Sequence, residues 1–312
     1  MFGIKIIATG SYAPKKVLSN ADLEKMVDTS DEWITTRTGI KNRHIAAKNE
    51  TASAMGIKAG KNILEKSGIK PEEIELLVVA TATPDMNFPS TACLIQTGLG
   101  LKNAVAFDIS AACSGFIYSL SIVEQYLKIG TYSTAMIICT EKFSEIINWE
   151  DRNTCILFGD GAAGVIVKRE EEQNTSVFKN IIKSDGKYAD LLAVPDRKYI
   201  DMKGNTVFKI AIRSMGDITT EILKSCGLKT EDIALFIPHQ ANLRIINALG
   251  DLLKIPKEKV YINVGEYGNT SAASIPIALN EADEKGLIKK GDKIMFVAFG
   301  GGFTWGASII EW

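Results

Sequence analysis

The sequence predicts an α/β protein built as two copies of one plan, stacked in layers around two buried central helices. Three observations carry this reading. A segment near residue 67 recurs about half a chain later, short apolar runs alternate with helix-like stretches, and two long segments contain no charged residue.

Residues 67–77 read Ser-Gly-Ile-Lys-Pro-Glu-Glu-Ile-Glu-Leu-Leu, and residues 226–236 read Cys-Gly-Leu-Lys-Thr-Glu-Asp-Ile-Ala-Leu-Phe, an offset of 159. Each closes a helix at a glycine and enters an apolar strand. At nearly the same offset Ala111-Ala112-Cys113-Ser114 matches Ala272-Ala273-Ser274, and Gly130–Thr140 resembles Gly291–Phe299. Gly161–Lys168 and Trp305–Trp312 both read as a glycine-rich entry to an apolar strand. Solenoid repeats run about 20–50 residues. A period near half the chain instead indicates a duplicated α/β unit, with halves at 1–170 and 171–312. Strands at Leu76–Thr83, Val105–Ile109 and Ala135–Thr140 alternate with helices, the signature of α/β layering. Ile109–Val123 runs 15 residues without a charge and Asn269–Asn280 runs 12. A helix with no polar face is buried on all sides, which puts these two in the middle.

Length and composition fit a globular protein with one large domain or two intimately packed ones: 312 residues, 46% hydrophobic, 23% charged. A net charge of −1, from 36 basic and 37 acidic residues, argues against nucleic-acid binding. The five cysteines (Cys93, Cys113, Cys139, Cys155, Cys226) are odd in number, widely spaced and without a C-x-x-C pair, which disfavours zinc or a disulfide framework. Met1–Thr9 has no signal-peptide pattern, and no run of 18 apolar residues occurs, so the expectation is a cytoplasmic protein with no membrane association.

Gly159-Asp160-Gly161-Ala162-Ala163-Gly164 matches the dinucleotide fingerprint G-x-G-x-x-G. That motif needs a helix after it, so that the pyrophosphate meets a helix N-terminus. Here Val165-Ile166-Val167-Lys168 follows and reads as a strand, so a tight turn is expected. Gly300-Gly301-Gly302 fails the same test, although glycines there allow close approach of backbone to a ligand.

Two histidines occur, His44 and His239. His239 sits where the apolar run Phe236-Ile237-Pro238 ends and a helix over Ala241–Leu253 begins, the edge where α/β proteins place their sites. Taken alone it would read as a packing histidine. Cys113 stands at the strand-to-helix junction before the first charge-free helix. A helix N-terminus is expected to lower its pKa toward the thiolate a nucleophile needs. The other four cysteines read as inert. Asn269, taken alone a turn residue after Gly268, precedes the second charge-free helix, and duplication would bring it toward Cys113.

At these residues the chain resembles the β-ketoacyl-ACP synthase III family. The resemblance rests on Ala111-Ala112-Cys113-Ser114-Gly115-Phe116, His239-Gln240-Ala241-Asn242-Leu243-Arg244 and Gly268-Asn269-Thr270-Ser271-Ala272-Ala273-Ser274. It continues through Thr29–Trp33, Thr81–Asp85, Phe158–Ala162 and Gly300–Gly306, in order over essentially the full length. It implies the thiolase-like fold, five layers of α-β-α-β-α.

The implied reaction begins with transfer of an acyl group, acetyl above all, from acyl-CoA to Cys113. Decarboxylative condensation with malonyl-ACP follows, giving 3-ketoacyl-ACP, without metal or redox cofactor. The resemblance gives the catalytic set as Cys113, His239 and Asn269 and the oxyanion hole as the N–H groups of Cys113 and Gly301. For CoA it implies Thr29, Trp33, Arg37, Arg152, Asn205 and Asn242, with adenine between Trp33 and Arg152. Phe88 is implied to reach the partner's acyl pocket in a homodimer, and Lys209 and Arg244 to bind acyl carrier protein. The segment after Arg244 lacks a lysine pair that some relatives carry, and Lys254, Lys257 and Lys259 lie just beyond. The competing reading is a related condensing enzyme or acyltransferase of secondary metabolism with a different acceptor.

Overall fold

The structure, a computed structural model, describes residues 2–170, 177–195 and 198–312. The expected boundary between the halves, 170/171, adjoins residues 171–176, which lie outside the described residues. The first half runs β1 (Ile4–Tyr12), β2 (Lys16–Ser19), α1 (Asn20–Leu23), α2 (Asp31–Thr38), β3 (Asn42–Ile45), α3 (Ala52–Ser67), β4 (Leu76–Ala80), α4 (Thr91–Leu99), β5 (Val105–Ile109), α5 (Gly115–Lys128), β6 (Thr134–Glu141) and β7 (Gly161–Arg169). The second half runs β8 (Phe178–Ser184), β9 (Leu192–Ala193), β10 (Asp201–Met202), α6 (Gly204–Cys226), β11 (Leu235–Pro238), α7 (Leu243–Leu253), α8 (Val264–Tyr267), α9 (Ser274–Glu284), β12 (Lys293–Gly300) and β13 (Thr304–Glu311).

The first sheet has the order β1-β7-β6-β4-β5 and the second β11-β12-β13-β8. Strands β5, β4 and β6 are parallel, as are β11 and β12, and the remaining pairs in these sheets are antiparallel. Every residue of β4 and β6 is buried. Burial on both faces is why these strands read as continuous apolar runs instead of alternating ones. Helices α3 and α4 cover the outer face of the first sheet, α6 and α7 flank the second, and α5 and α9 lie between the sheets. The result is the expected five-layered, thiolase-like fold.

Helix α5 packs on β8 and β13 of the far sheet as well as on β4 and β6, and α9 packs on β1, β7 and β11. The halves therefore interlock through their central helices. Phe116, Ile117, Leu120 and Val123 on α5, with Ile275, Ile277 and Leu279 on α9, are at most 2% exposed. Each such side chain contributes about 1.5–3 kcal/mol of burial free energy.

The 159-residue offset holds in three dimensions, with one correction to the sequence pairing. The single turns Ala112–Ser114 and Ser271–Ala273 are equivalent, and α5 and α9 begin at residues 115 and 274. Ala112 therefore corresponds to Ser271 and Cys113 to Ala272, two residues away from the pairing suggested by the Ala-Ala identity. Ala112 (φ 44°) and Ser271 (φ 51°) share a left-handed backbone. That conformation is uncommon outside glycine and marks over-determined sites.

Two element ends also differ from expectation. Strand β4 stops at Ala80 because residues 81–83 turn aside, and Ala82 N–H and Thr83 Oγ1 donate to Glu141 Oε2 at 2.9 and 3.0 Å. Helix α7 begins at Leu243 because Asn242 is its N-cap, its side chain accepting from Arg244 N.

Candidate active site

Cys113 stands in the single helical turn that leads into α5, 8% exposed. Ser114 Oγ donates to Thr304 O and Thr304 Oγ1 to Ala111 O, both at 2.9 Å, which fastens the turn to the second sheet. The first N–H groups of a helix have no intrahelical acceptor, and that of Cys113 is among them. The end of β12 comes up against it so closely that a Cβ on Gly300 would lie 2.6 Å from Cys113 N. Gly301 follows, on the wall of a small chamber that opens on Cys113.

The expected lowering of the Cys113 pKa is not what the surroundings dictate. Burial pushes the thiol up to about 12, opposed by the Ser271 hydroxyl and reinforced by the charge of Glu141. Desolvation disfavours the thiolate more than the single short turn beneath it favours it. In the resting protein Cys113 is a thiol.

His239 is held by its own backbone, its N–H donating to Val297 O at 2.8 Å, and by Ser274, whose Oγ lies 2.7 Å from Nδ1. Gln240 N donates to the same Ser274 oxygen at 3.3 Å. The serine hydrogen is thereby turned toward Nδ1, which favours the tautomer with its proton on Nε2. Burial lowers the imidazole pKa to about 3, so the ring is neutral at physiological pH. Gln240 fixes the loop from below, donating to Pro238 O and Tyr261 O and accepting from Asn263 N.

Asn269 is positioned by the glycines at the start of the 159–164 run, which serve a backbone contact and not a nucleotide. Gly161–Gly164 are not the expected tight turn but the first residues of β7, and Gly159 allows a close backbone contact: a Cβ there would lie 2.3 Å from Tyr267 O. That approach brings Asn269 N to Leu157 O at 2.8 Å and Gly159 N to Asn269 O at 3.0 Å. The Asn269 side-chain oxygen accepts from Ser271 N at 2.8 Å, which leaves the amide N–H groups for the cavity. His44, the second histidine, stacks on Tyr267 at 5.3 Å and bonds Pro14 O, so it supports this segment from outside the site.

Cys113, His239 and Asn269 line one cavity of about 640 Å³, together with Trp33, Arg37, Asn205, Asn242 and Arg244. A second chamber of about 180 Å³ opens on Cys113, walled by Ala112, Phe143, Ile146, Phe158, Leu192 and Gly301. Other expected positions fall outside these walls. Arg152 stacks on Trp33 at 4.9 Å from the ring centroid, and Arg37 covers the same ring at 4.5 Å. With Arg152 on the indole, a flat base enters between them only if that guanidinium moves. Thr29 does not line the cavity, and its Oγ1 is buried without a hydrogen-bond partner. Lys209 is exposed on α6 outside the walls, whereas Arg244 stands over Phe208 at the rim. Phe88 is 84% exposed, away from both chambers of its own chain.

The sequence reading assigned no role to Ser274, Ser271 or Glu141. Only a signal at the level of the duplication could have found Ser271, which occupies the position equivalent to Ala112. Glu141 ends a buried strand, where a charged residue is already an anomaly. Among the described residues no group of three or more His, Cys, Asp or Glu side chains is arranged to hold a metal ion. No helix among them is long and apolar enough to cross a membrane.

A duplicated five-layer fold with a cysteine opening one of its two central helices defines a class, the thiolase-like condensing acyltransferases. Models of 3-oxoacyl-[acyl-carrier-protein] synthase III match residues 107–186 and, for its C-terminal part, 223–312. A β-ketoacyl-[acyl-carrier-protein] synthase III of Aquifex aeolicus is 53% identical over 99% of this chain and 100% of its own, and one of Caldanaerobacter subterraneus is 52% identical over 98% and 97%. The crystal structure of the Aquifex aeolicus 3-oxoacyl-[acyl-carrier-protein] synthase III superposes with a TM-score of 0.97 at 53% identity, over 99% of this chain and 100% of that one. The chain belongs to the β-ketoacyl-[acyl-carrier-protein] synthase III family.

Proposed function

We propose that this protein initiates fatty-acid synthesis by moving an acyl group, acetyl above all, from CoA to Cys113 and condensing it with malonyl-ACP. The observation that carries this is the single cavity joining an exposed rim at Trp33, Arg37 and Arg244 to buried Cys113, His239 and Asn269.

In the first half-reaction the Cys113 thiolate attacks the thioester carbonyl. The oxyanion is held by the N–H groups of Cys113 and Gly301, the kind of donor worth about 3–4 kcal/mol each. The apolar chamber beside Cys113 receives the acyl chain. In the second, His239 Nε2–H and the Asn269 amide donate to the malonyl thioester carbonyl. The enolate left by CO₂ loss is thereby stabilised and attacks the acyl-Cys113 carbon. A neutral imidazole suits this role, because it donates without adding a charge that must be neutralised when product leaves. The driving force, thioester cleavage and CO₂ release, resides in the substrates, so no metal or redox cofactor is called for.

Trp33, Arg37 and Asn242 form the entrance for CoA with Asn205. Arg152 swings off the Trp33 face to admit adenine, and Thr29 Oγ1 offers an unused hydroxyl nearby. Arg244 and Lys209 present basic charge to the acidic carrier protein. The edge strand β5, with Val105 half-exposed, and the exposed Phe88 fit a homodimer in which each Phe88 enters the partner's acyl chamber. Five free cysteines fit a reducing cytoplasm.

The test is mass spectrometry of the intact protein after exposure to acetyl-CoA and then malonyl-ACP. An acetyl adduct on Cys113 that disappears on addition of malonyl-ACP with release of 3-ketoacyl-ACP is expected. No adduct with any acyl-CoA would sink the reading, and an adduct discharged by malonyl-CoA but not by malonyl-ACP would favour a different acceptor.

A further inference from the structure

Attack by Cys113 requires a destination for the proton of a buried thiol whose pKa is raised by desolvation. His239 is neutral, with Nδ1 engaged by Ser274. Beside Cys113 lies a group that the proposed chemistry does not use. Glu141, the last residue of β6, is 0% exposed. Its Oε2 accepts from Ala82 N and Thr83 Oγ1. Its Oε1 is buried with no hydrogen-bond partner, and so is the hydroxyl oxygen of Ser271. The Ser271 side chain faces both the Cys113 thiol and the Glu141 carboxyl, close enough to bear on both without a formed hydrogen bond. Two unpartnered buried oxygens beside a nucleophile are costly unless they have work in another protonation state.

Among the described residues, the other titratable groups around Glu141 offer it no counter-charge. Cys139 precedes it on β6 and is buried. Lys142 follows it, but its ammonium turns away to Glu145 at 2.7 Å and to Lys48 O. Asp160, at the entry to β7, is occupied by Ser144 and Ala46 N. A carboxylate and a thiolate in one buried, cation-free site repel each other, so the two do not ionise together.

Resting on the function proposed above, we infer that Glu141, acting through the Ser271 hydroxyl, takes up the Cys113 proton as the thiolate forms, so that the two groups never carry two negative charges together. The S–H bond breaks and its proton passes to Ser271 Oγ while the Ser271 hydrogen passes to Glu141 Oε1. The charge moves from carboxylate to thiolate, and nothing enters or leaves. When the thiolate displaces CoA, the departing CoA thiolate takes up the proton that Glu141 holds. When condensation later releases the Cys113 thiolate, a proton regained by Glu141 from solvent returns to it. Glu141 is a positioning residue in this scheme, because it acts through Ser271. Burial raises its carboxyl to about 7, so it holds or releases a proton near neutrality.

Charge sharing has a signature that packing alone does not produce. Thiol-protonated, carboxylate-ionised Cys113/Glu141 and its proton-shifted form bind the same number of protons, so their ratio does not vary with pH. The rate of Cys113 alkylation by iodoacetamide, followed from pH 6 to 9 with the site mapped by peptide mass spectrometry, is expected to rise about tenfold per unit only up to the Glu141 titration near 7 and then level off. In E141Q it should rise tenfold per unit throughout, exceeding the wild type by roughly 10²-fold at pH 9, two units above that titration. Ser271→Ala withdraws a hydroxyl that favours both the thiolate and the Glu141 carboxylate, so the plateau should persist with its onset moved to higher pH. A wild-type profile that climbs tenfold per unit through pH 9, or profiles of wild type and E141Q that run parallel, would overturn the inference. The wild-type profile decides the matter even if E141Q does not fold. An unchanged onset in Ser271→Ala would remove Ser271 from the path. Alkylation needs no acyl substrate, so failure of Cys113 to accept acyl groups would refute the proposed function without touching this result.

Discussion

Asn269 separates the two half-reactions and, in this structure, separates catalysis from stability as well. Its oxygen accepts from Ser271 N at 2.8 Å within the buried turn that opens α9, and its amide hydrogens face the cavity. Asn269→Ala removes both. Leaving the Ser271 N–H buried and unpaired costs about 1–3 kcal/mol, a fall of a few degrees in Tm. Loss of one donor to the developing enolate costs condensation about 10²–10³-fold. Acylation of Cys113 uses the thiol, its turn and the oxyanion donors, and should stay within about threefold of wild type by the same reasoning. Asn269→Asp restores the acceptor for Ser271 N but has no N–H, and its ionised form opposes the enolate. It should therefore melt near the wild-type temperature yet condense no better than the alanine variant. The assays are intact-protein mass spectrometry for acylation, 3-ketoacyl-ACP formation for condensation, and calorimetry for Tm. Should Asn269→Ala block acylation while malonyl-ACP decarboxylation persists, the assignment of Asn269 to the second half-reaction is wrong.

Four other outcomes follow from named contacts. Gly159→Ala places a Cβ 2.3 Å from the Tyr267 carbonyl, so it should displace Asn269, destabilise by about 1–3 kcal/mol and lose condensation before acylation. Trp33→Ala should raise KM for acyl-CoA about tenfold while kcat changes less than about twofold, since binding remote from the chemistry is uniform; an unchanged KM would make Trp33 a packing residue. Arg244→Glu should slow malonyl-ACP use by on the order of tenfold at low salt, with the wild-type advantage shrinking as salt is added; equal loss with malonyl-CoA would move Arg244 into the active site. His239, lowered to about 3 from an unfolded value of 6.5, leaves the unfolded chain binding more protons between those values. It therefore makes the fold lose stability as pH falls from 6.5 toward 3. Glu141, raised to about 7, acts in the opposite sense between 4.5 and 7. Urea midpoints for His239→Gln should accordingly fall less than those of wild type between pH 6.5 and 4.5, and an identical fall would show that the ring is not held neutral.

The duplication, the layering and the two central helices were legible in the sequence because they are written in local periodicity. Charge-free stretches at Ile109–Val123 and Asn269–Asn280 admit only a buried position, and the 159-residue repeat of helix cap, turn and strand dictates a pseudo-symmetric partner for each. Cys113, His239 and Asn269 were legible as strand-end and helix-start residues within a family pattern, and one cavity holds all three. What the tertiary structure decided is the state of those groups. A helix start argues for a lowered thiol pKa, but desolvation is a property of everything packed around Cys113 and it wins, pushing the thiol to about 12. The serine behind His239, the glycine contact that aims Asn269 and the buried carboxyl that acts through Ser271 come from segments between 35 and 130 residues away from the side chains they act on, or from backbone approach distances that residue names do not encode. Local sequence specifies the elements and their burial; electrostatics and close contact depend on which distant segments meet, and only the folded chain settles that.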